Sequence, residues 1–247
     1  RAAQWLKPNS EDKNVSPWQM VEFVNDHVPE IPVYAYARFG GTLEMIKTML
    51  VNGFPVIIEL GYDPERADQG WMGHYLLMVG YNDNTQEFTT YDSYDGQNLR
   101  YSYDHVETYW RHFNYQYIVL YTTNRQEQLH ALMGEDVDAA ENARNALEIA
   151  RQQAIADQSD NFAWFNMGTS FVTLEMYAEA AIAYDQARNV GNGLPWRMLW
   201  YQFGPYEAYN AVERYDETLL LASHDLEFLL EVCDRVLLID EGRIIAD

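Results

Sequence analysis

His74 and Asp92 are the two residues whose types and spacing could do chemistry. His74 opens a strand-like run, Trp71-Met-Gly-His-Tyr-Leu-Leu-Met-Val-Gly-Tyr81, and Asp92 closes a second one within Thr89-Thr-Tyr-Asp-Ser-Tyr-Asp-Gly96. The polar stretch Asn82-Asp-Asn-Thr-Gln86 between them predicts a five-residue hairpin turn. If it closes simply, residue 76 faces residue 92, and His74 and Asp92 become diagonal neighbours on one face, roughly 7–8 Å apart between backbones. An imidazole and a carboxylate can meet across that gap, whereas a slip of one residue would put them on opposite faces. Such a pair is the general-base half of a nucleophilic triad: the carboxylate fixes the tautomer, and the free ring nitrogen activates a thiol. A buried histidine held by a turn aspartate for packing alone has the same spacing, and both readings stay open on spacing.

Other ionisable groups carry less. Asp95 could stand in for Asp92 but lies further into the turn. His27, His105 and His112 lack metal-ligand spacing and read as surface or core histidines. Asp63, Glu65 and Asp68 could bind a cation, but a solvated acidic loop is the favoured reading. Trp71 and Tyr75, beside His74, could line a groove or fill a core. No metal and no cofactor is expected.

The elements that must position the pair follow from punctuation. Ser16-Pro17 is a helix start, with Trp18, Met20, Val21, Phe23 and Val24 as its apolar stripe, and Pro29 and Pro32 end it. Ile31–Tyr36 reads as extended. Gly40-Gly41-Thr42 opens a second helix carrying Leu43, Ile46, Met49 and Leu50; Gly53 stops it, and Pro55–Leu60 reads as a buried strand. Aromatic-rich segments over 101–121 end in the strand-like Tyr115–Tyr121. Residues 1–125 therefore predict an α+β unit with an antiparallel sheet.

From about residue 126 the pattern turns helical. Ala143, Ala146, Leu147, Ala150 and Ala154 make one apolar face. Trp164, Met167, Gly168 and Phe171, followed by Ala180, Tyr184 and Ala187, resemble the tetratricopeptide repeat pattern. The resemblance implies two antiparallel helices that approach closely at the small residues. Shifted by 38, Tyr206, Tyr209, Tyr215 and Thr218 fall on Gly168, Phe171, Tyr177 and Ala180, which suggests a degenerate second first-helix. The repeat assignment covers 126–217 and implies a protein partner; an unrelated helical hairpin is the plainer alternative.

Residues 1–125 resemble the papain-like cysteine peptidases of family 39, on Gly-His-Tyr-Leu-Leu-Met-Val-Gly-Tyr (73–81), Tyr-Asp-Ser-Tyr-Asp-Gly (91–96) and the helix–Asn-Gly-Phe-Pro-Val-Ile–strand unit (43–57). The resemblance implies a papain-like fold, peptide-bond hydrolysis in the order Cys…His…Asp, His74 as base and Asp92 as the orienting acid. One departure is decisive: the family's nucleophilic cysteine sits on a helix ahead of these motifs, and no cysteine occurs before Cys233. The expectation is either that the cysteine-bearing helix precedes Arg1 or that the chain belongs to a binding-only branch, so the chain as it stands is expected not to cleave peptides.

The last segment, 218–247, resembles the end of an ABC-transporter ATPase. His224 matches its switch histidine, and Asp-Arg-Val-Leu-Leu-Ile-Asp-Glu-Gly-Arg-Ile its closing hairpin. No glycine loop ending in lysine is present, since Lys7, Lys13 and Lys47 are the only lysines and none follows glycine, so ATP hydrolysis is not expected. The segment reads as a fusion scar, or alternatively Leu219–Leu230 forms the missing repeat helix.

Composition bounds the rest. Acidic residues number 38 and basic ones 16, a net charge of −22, which argues against general affinity for nucleic acid or an anionic membrane. The second half is the more acidic, with 22 acidic and 7 basic residues over 126–247. One cysteine excludes an internal disulfide framework and a cysteine-cluster zinc site. No apolar run approaches the ~20 residues of a membrane span. The functional expectation is a cysteine peptidase-like hydrolase domain acting on a peptide or protein and joined to a protein-interaction module. A non-catalytic peptide-binding adaptor and an ABC-transporter-associated protein are its alternatives. An extracytoplasmic bacterial location is the expected compartment.

Overall fold

The structure, a computed structural model, describes residues 2–7, 14–62, 70–92, 94–215, 238–240 and 243–246. The chain begins with α1 (Ala2–Leu6) and α2 (Pro17–Asp26), and β1 (Val33–Arg38) follows. The Gln19 side chain accepts a hydrogen bond from the Ser16 backbone N–H at 2.8 Å, which fixes the start of α2 just before its first-turn proline. At α3 (Leu43–Val51), Thr42 Oγ1 accepts from Met45 N at 3.0 Å; Gly53, at φ +73°, turns the chain out of the helix.

There follow β2 (Val56–Tyr62), β3 (Met72–Asn82), β4 (Glu87–Asp92), β5 (Gly96–Ser102), α4 (Tyr103–Trp110) and β6 (Tyr117–Thr122). The six strands form one antiparallel sheet in the order β1-β6-β2-β3-β4-β5. The fold is thus α+β, as the punctuation implies. Alternate residues of the central strands, among them Val56, Ile58 and Leu60 of β2 and Leu76 and Met78 of β3, pack under α3 and α4 through Ile46, Met49, Val106 and Trp110. At ~25 cal/mol per Å² of buried apolar surface, this cluster is the main source of stability for the sheet.

The hairpin between β3 and β4 differs from expectation. Asn82 still pairs with Glu87, so the turn has four residues, and Val79 is an extra residue between Met78↔Thr90 and Gly80↔Thr89. The two departures cancel, and Leu76 stands opposite Asp92. Three elements lie outside the expected set, α1, β5 and α4; of α4 only an aromatic-rich run is legible.

The rest of the described chain is helical up to the tail: α5 (Gln126–Met133), α6 (Ala139–Ala156), α7 (Asn161–Thr173), α8 (Tyr177–Asn189), a 3-10 turn over Trp196–Trp200 and α9 (Gly204–Ala211). Ala143, Ala146, Ala150 and Ala154 are buried, on the face that the alanine spacing marks. A Cβ on Gly168 would lie 2.5 Å from Tyr184 Cε1, so glycine is what lets the Tyr184 ring rest on α7. Phe165 meets that ring edge-on at 5.0 Å, and Ala180, Ala187 and Ala208 complete the cluster.

Buried polar contacts cross between the sheet and these helices. Asn142 on α6 accepts from Phe39 N at 2.9 Å and donates to Phe39 O at 2.9 Å. Asn114 Nδ2 donates to Ser170 Oγ at 3.1 Å, and Asn166 Nδ2 donates to Arg111 O at 2.9 Å. Of the tail, β7 (Leu238–Asp240) and β8 (Arg243–Ala246) form an antiparallel hairpin. Thr218, the expected helix Leu219–Leu230, His224 and Cys233 lie outside the described residues. No helix among the described residues is long and apolar enough to cross a membrane.

Candidate functional site

β3 and β4 bring His74 and Asp92 together. Strand pairing sets Leu60 opposite His74 and Leu76 opposite Asp92, so both side chains share the face that carries the sheet's core. His74 Nε2 lies 2.9 Å from Asp92 Oδ1. The His74 side chain is 10% exposed and that of Asp92 0%. The approach is that of an ion pair, and Nε2 does not reach full hydrogen-bond geometry with the oxygen. Oδ1 already accepts backbone N–H groups from Tyr94 at 2.7 Å and Asp95 at 3.0 Å, which engage its two lone pairs.

The other carboxylate oxygen is held as well: Tyr101, on β5, donates its hydroxyl to Asp92 Oδ2 at 3.0 Å. Burial pushes the Asp92 carboxyl up. The backbone donors from Asp95 and Tyr94, with His74 beside them, outweigh that and hold it below the usual carboxylate range. Asp92 is therefore a fixed negative charge against one ring nitrogen. The second nitrogen, Nδ1, has no hydrogen-bond partner among the described residues. Tyr62 packs on the imidazole with ring centroids 5.0 Å apart and donates its hydroxyl to Asp95 Oδ2 at 3.0 Å. Asp95 thus supports Tyr62 and the Asp92 turn and does not contact the imidazole.

Tyr62 and Tyr101 are the site residues that sequence reasoning missed. Once β5 is recognised as a strand folded back on β4, a tyrosine near its end becomes a candidate donor to Asp92. Neither spacing nor composition marks Tyr62.

The remaining candidates are placed elsewhere. Tyr75 points away from His74, to the other face of β3, and donates to Val15 O at 2.8 Å. Beside it Glu59 is buried, and burial pushes its carboxyl up to about 8. Trp71 stacks on Phe113 at 5.8 Å and donates its Nε1–H to His112 Nδ1 at 3.0 Å, so it fills a core and lines no groove with His74. His112 is buried, and desolvation, with Arg111 adjoining, pushes it down to about 4. His27 packs on Trp5 at 4.4 Å near the surface, and His105 packs between Tyr101 and Tyr109. Asp63, Glu65 and Asp68 lie outside the described residues. Among the described residues no group of three or more His, Cys, Asp or Glu side chains could hold a metal.

Three comparisons bear on this arrangement. The family model described as "Peptidase_C39 like family" matches residues 15–118, a span that contains both His74 and Asp92. A protein named as an ABC transporter ATP-binding protein, from Synechocystis sp., is 58% identical over 38 residues, covering 15% of this chain and 13% of that protein. A solved C39-like peptidase structure from Bacillus anthracis aligns with a TM-score of 0.34 and 17% identity, covering 44% of this chain and 60% of that one. This chain therefore spans less than two thirds of either relative.

Proposed function

We propose that residues 1–125 form a peptidase family 39-like domain of papain type, in which His74 is the general base and Asp92 its orienting acid in peptide-bond hydrolysis. The observation that carries this reading is the 2.9 Å approach of His74 Nε2 to a fully buried, charge-stabilised Asp92, which leaves Nδ1 as the free base. The family match over 15–118 supports it independently. In this mechanism Nδ1 takes the proton of a thiol, the thiolate sulfur attacks the scissile carbonyl carbon, and the imidazolium returns the proton to the departing amine. Water, activated by the same nitrogen, then cleaves the thioester and regenerates the thiol. Asp92 stabilises the imidazolium formed in between.

A second reading is a peptide-binding domain that does not cleave. It is favoured by the absence of cysteine from residues 1–232 of this sequence. The experiment assays peptide cleavage by the protein encoded in the complete reading frame. Cleavage that is lost in His74→Ala and blocked by a thiol alkylator supports hydrolysis. Saturable peptide binding with no cleavage selects the adaptor.

We further propose that 126–217 is a tetratricopeptide-type module for a protein partner. The support is Gly168 under the Tyr184 ring and the burial of Ala180 and Ala187. We propose that 218–247 derives from an ABC-transporter ATPase; the 38-residue likeness to an ABC transporter ATP-binding protein is in keeping with this.

A further inference from the structure

The start of β3 is held from behind by residues of the helical half. Gly61 on β2 and Gly73 on β3 stand opposite each other, one step from the Leu60↔His74 pair. With no side chains, they open a gap on the face of the sheet opposite His74. A Cβ on Gly61 would lie 2.0 Å from His112 Nδ1, and one on Gly73 would lie 2.8 Å from Tyr201 Cδ1 and 2.9 Å from Phe113 Cζ. The gap is filled by an aromatic cluster. Tyr201 meets Trp71 edge-on at 5.8 Å and Phe113 edge-on at 6.0 Å. His112 stacks on Phe162 of α7 at 4.0 Å, and Gln202 Nε2 donates to His112 O at 2.9 Å. Three of these residues, Phe162, Tyr201 and Gln202, belong to the helical half.

We propose that Tyr201 is a positioning residue for His74: its ring, seated against Gly73, fixes the backbone from which the imidazole reaches Asp92. This rests on the reading of His74 as the base. The reasoning is geometric. Adjacent residues of a strand share one backbone path, so a ring that fixes residue 73 from one face fixes the Cα–Cβ direction of residue 74 on the other. Tyr62 and Asp92 hold the ring from its own side, and the rear support sets the backbone from which the ring reaches them. A protein bound to the helical half and shifting the Trp196–Gln202 segment would therefore act on the base without touching it.

The test reads the imidazole directly. Histidine ring Cε1–H signals are recorded in the folded chain by NMR, with His74 assigned through His74→Gln. Tyr201→Ala moves or doubles the His74 signal, Tyr201→Phe keeps the wild-type signal because the ring remains, and His27 is unchanged in both. Tyr209→Phe, which removes a hydroxyl bond to Asp185 in the same half, leaves His74 unmoved. If Tyr201→Ala does not fold, Tyr201→Leu keeps the apolar volume and loses the aromatic ring. A wild-type His74 signal in a folded Ala or Leu variant overturns the proposal, as does a Phe variant that is equally perturbed. No substrate enters the measurement, so that failure leaves the hydrolase reading standing, and absence of cleavage leaves this coupling standing.

Discussion

Replacing Tyr101 with Phe removes one atom, the hydroxyl oxygen that donates to Asp92 Oδ2 at 3.0 Å. Among the described residues it is the donor on that oxygen, and the Asp92 side chain is 0% exposed. A hydrogen bond to a charged group contributes about 1.5–3 kcal/mol, and a half-buried hydroxyl belongs at the lower end, so Tyr101→Phe is expected to cost about 1.5 kcal/mol at pH 7. Because 1.36 kcal/mol corresponds to one pKa unit, the Asp92 carboxyl should also rise by about one unit. The sign follows from linkage. Asp92 titrates below its unfolded value, so its contribution to stability is complete above the unfolded carboxylate range and is lost as pH falls through the folded value. Tyr101→Phe raises that folded value, so its acid limb is smaller and ends at higher pH, and its cost shrinks once Asp92 is protonated in both proteins. Urea unfolding at pH 7 and near pH 3, repeated in an Asp92→Asn background, measures this. A cost that is the same at both pH values and in both backgrounds would show that the hydroxyl acts elsewhere and refute the reasoning.

Glu59→Gln should stabilise the protein at pH 7–8, because a carboxyl raised to about 8 opposes folding as pH climbs above its unfolded value; by linkage the gain at pH 7 is about 3 kcal/mol, read from urea melts. His112, lowered to about 4, acts on the acid side: stability should fall by up to about 3 kcal/mol between pH 6.5 and 4, and His112→Gln should flatten that slope. Gly168→Ala gains about 1 kcal/mol of helix propensity but drives a methyl against the Tyr184 ring, so thermal unfolding should show a net loss of about 1–2 kcal/mol. Asn142→Ala strands the part-buried N–H and C=O of Phe39 and should cost about 1–3 kcal/mol by chemical denaturation.

What was legible in the sequence was what local chemistry writes there. Ser16-Pro17, Thr42 and Gly53 bound α2 and α3 because capping and chain reversal depend on the residue at that place. Buried strands such as β2 and β6 are visible because both faces are largely apolar, Glu59 of β2 being the exception. β5 is not: Gly96-Gln-Asn-Leu-Arg-Tyr-Ser102 lies at a sheet edge, its Gln97, Asn98 and Arg100 face water, and Asn98 interrupts it at φ +58°. α4 is hidden by Tyr103, His105, Tyr109 and Trp110, residues of indifferent helix propensity, although Ser102 caps it by accepting from His105 N at 3.1 Å. Tyr62 and Tyr101 reach the site only through tertiary placement. The Gly61–Gly73 gap becomes visible once the strand register is known.

The register at the site depends on one residue. Near the turn the pairs are Asn82↔Glu87, Tyr81↔Phe88 and Gly80↔Thr89; continued unbroken, that register would set Leu77 opposite Asp92. His74 and Asp92 would then face opposite sides of the sheet, and no imidazole–carboxylate contact could form. Val79 prevents this by adding a residue on β3 alone. The apolar pattern requires it there: Leu76 and Met78 face the core before the bulge and Tyr81 packs against it after, a spacing of two and then three. A strict two-residue alternation would turn either Met78 or Tyr81 outward. The same burial that holds the strand in the core therefore puts the base and its acid on one face.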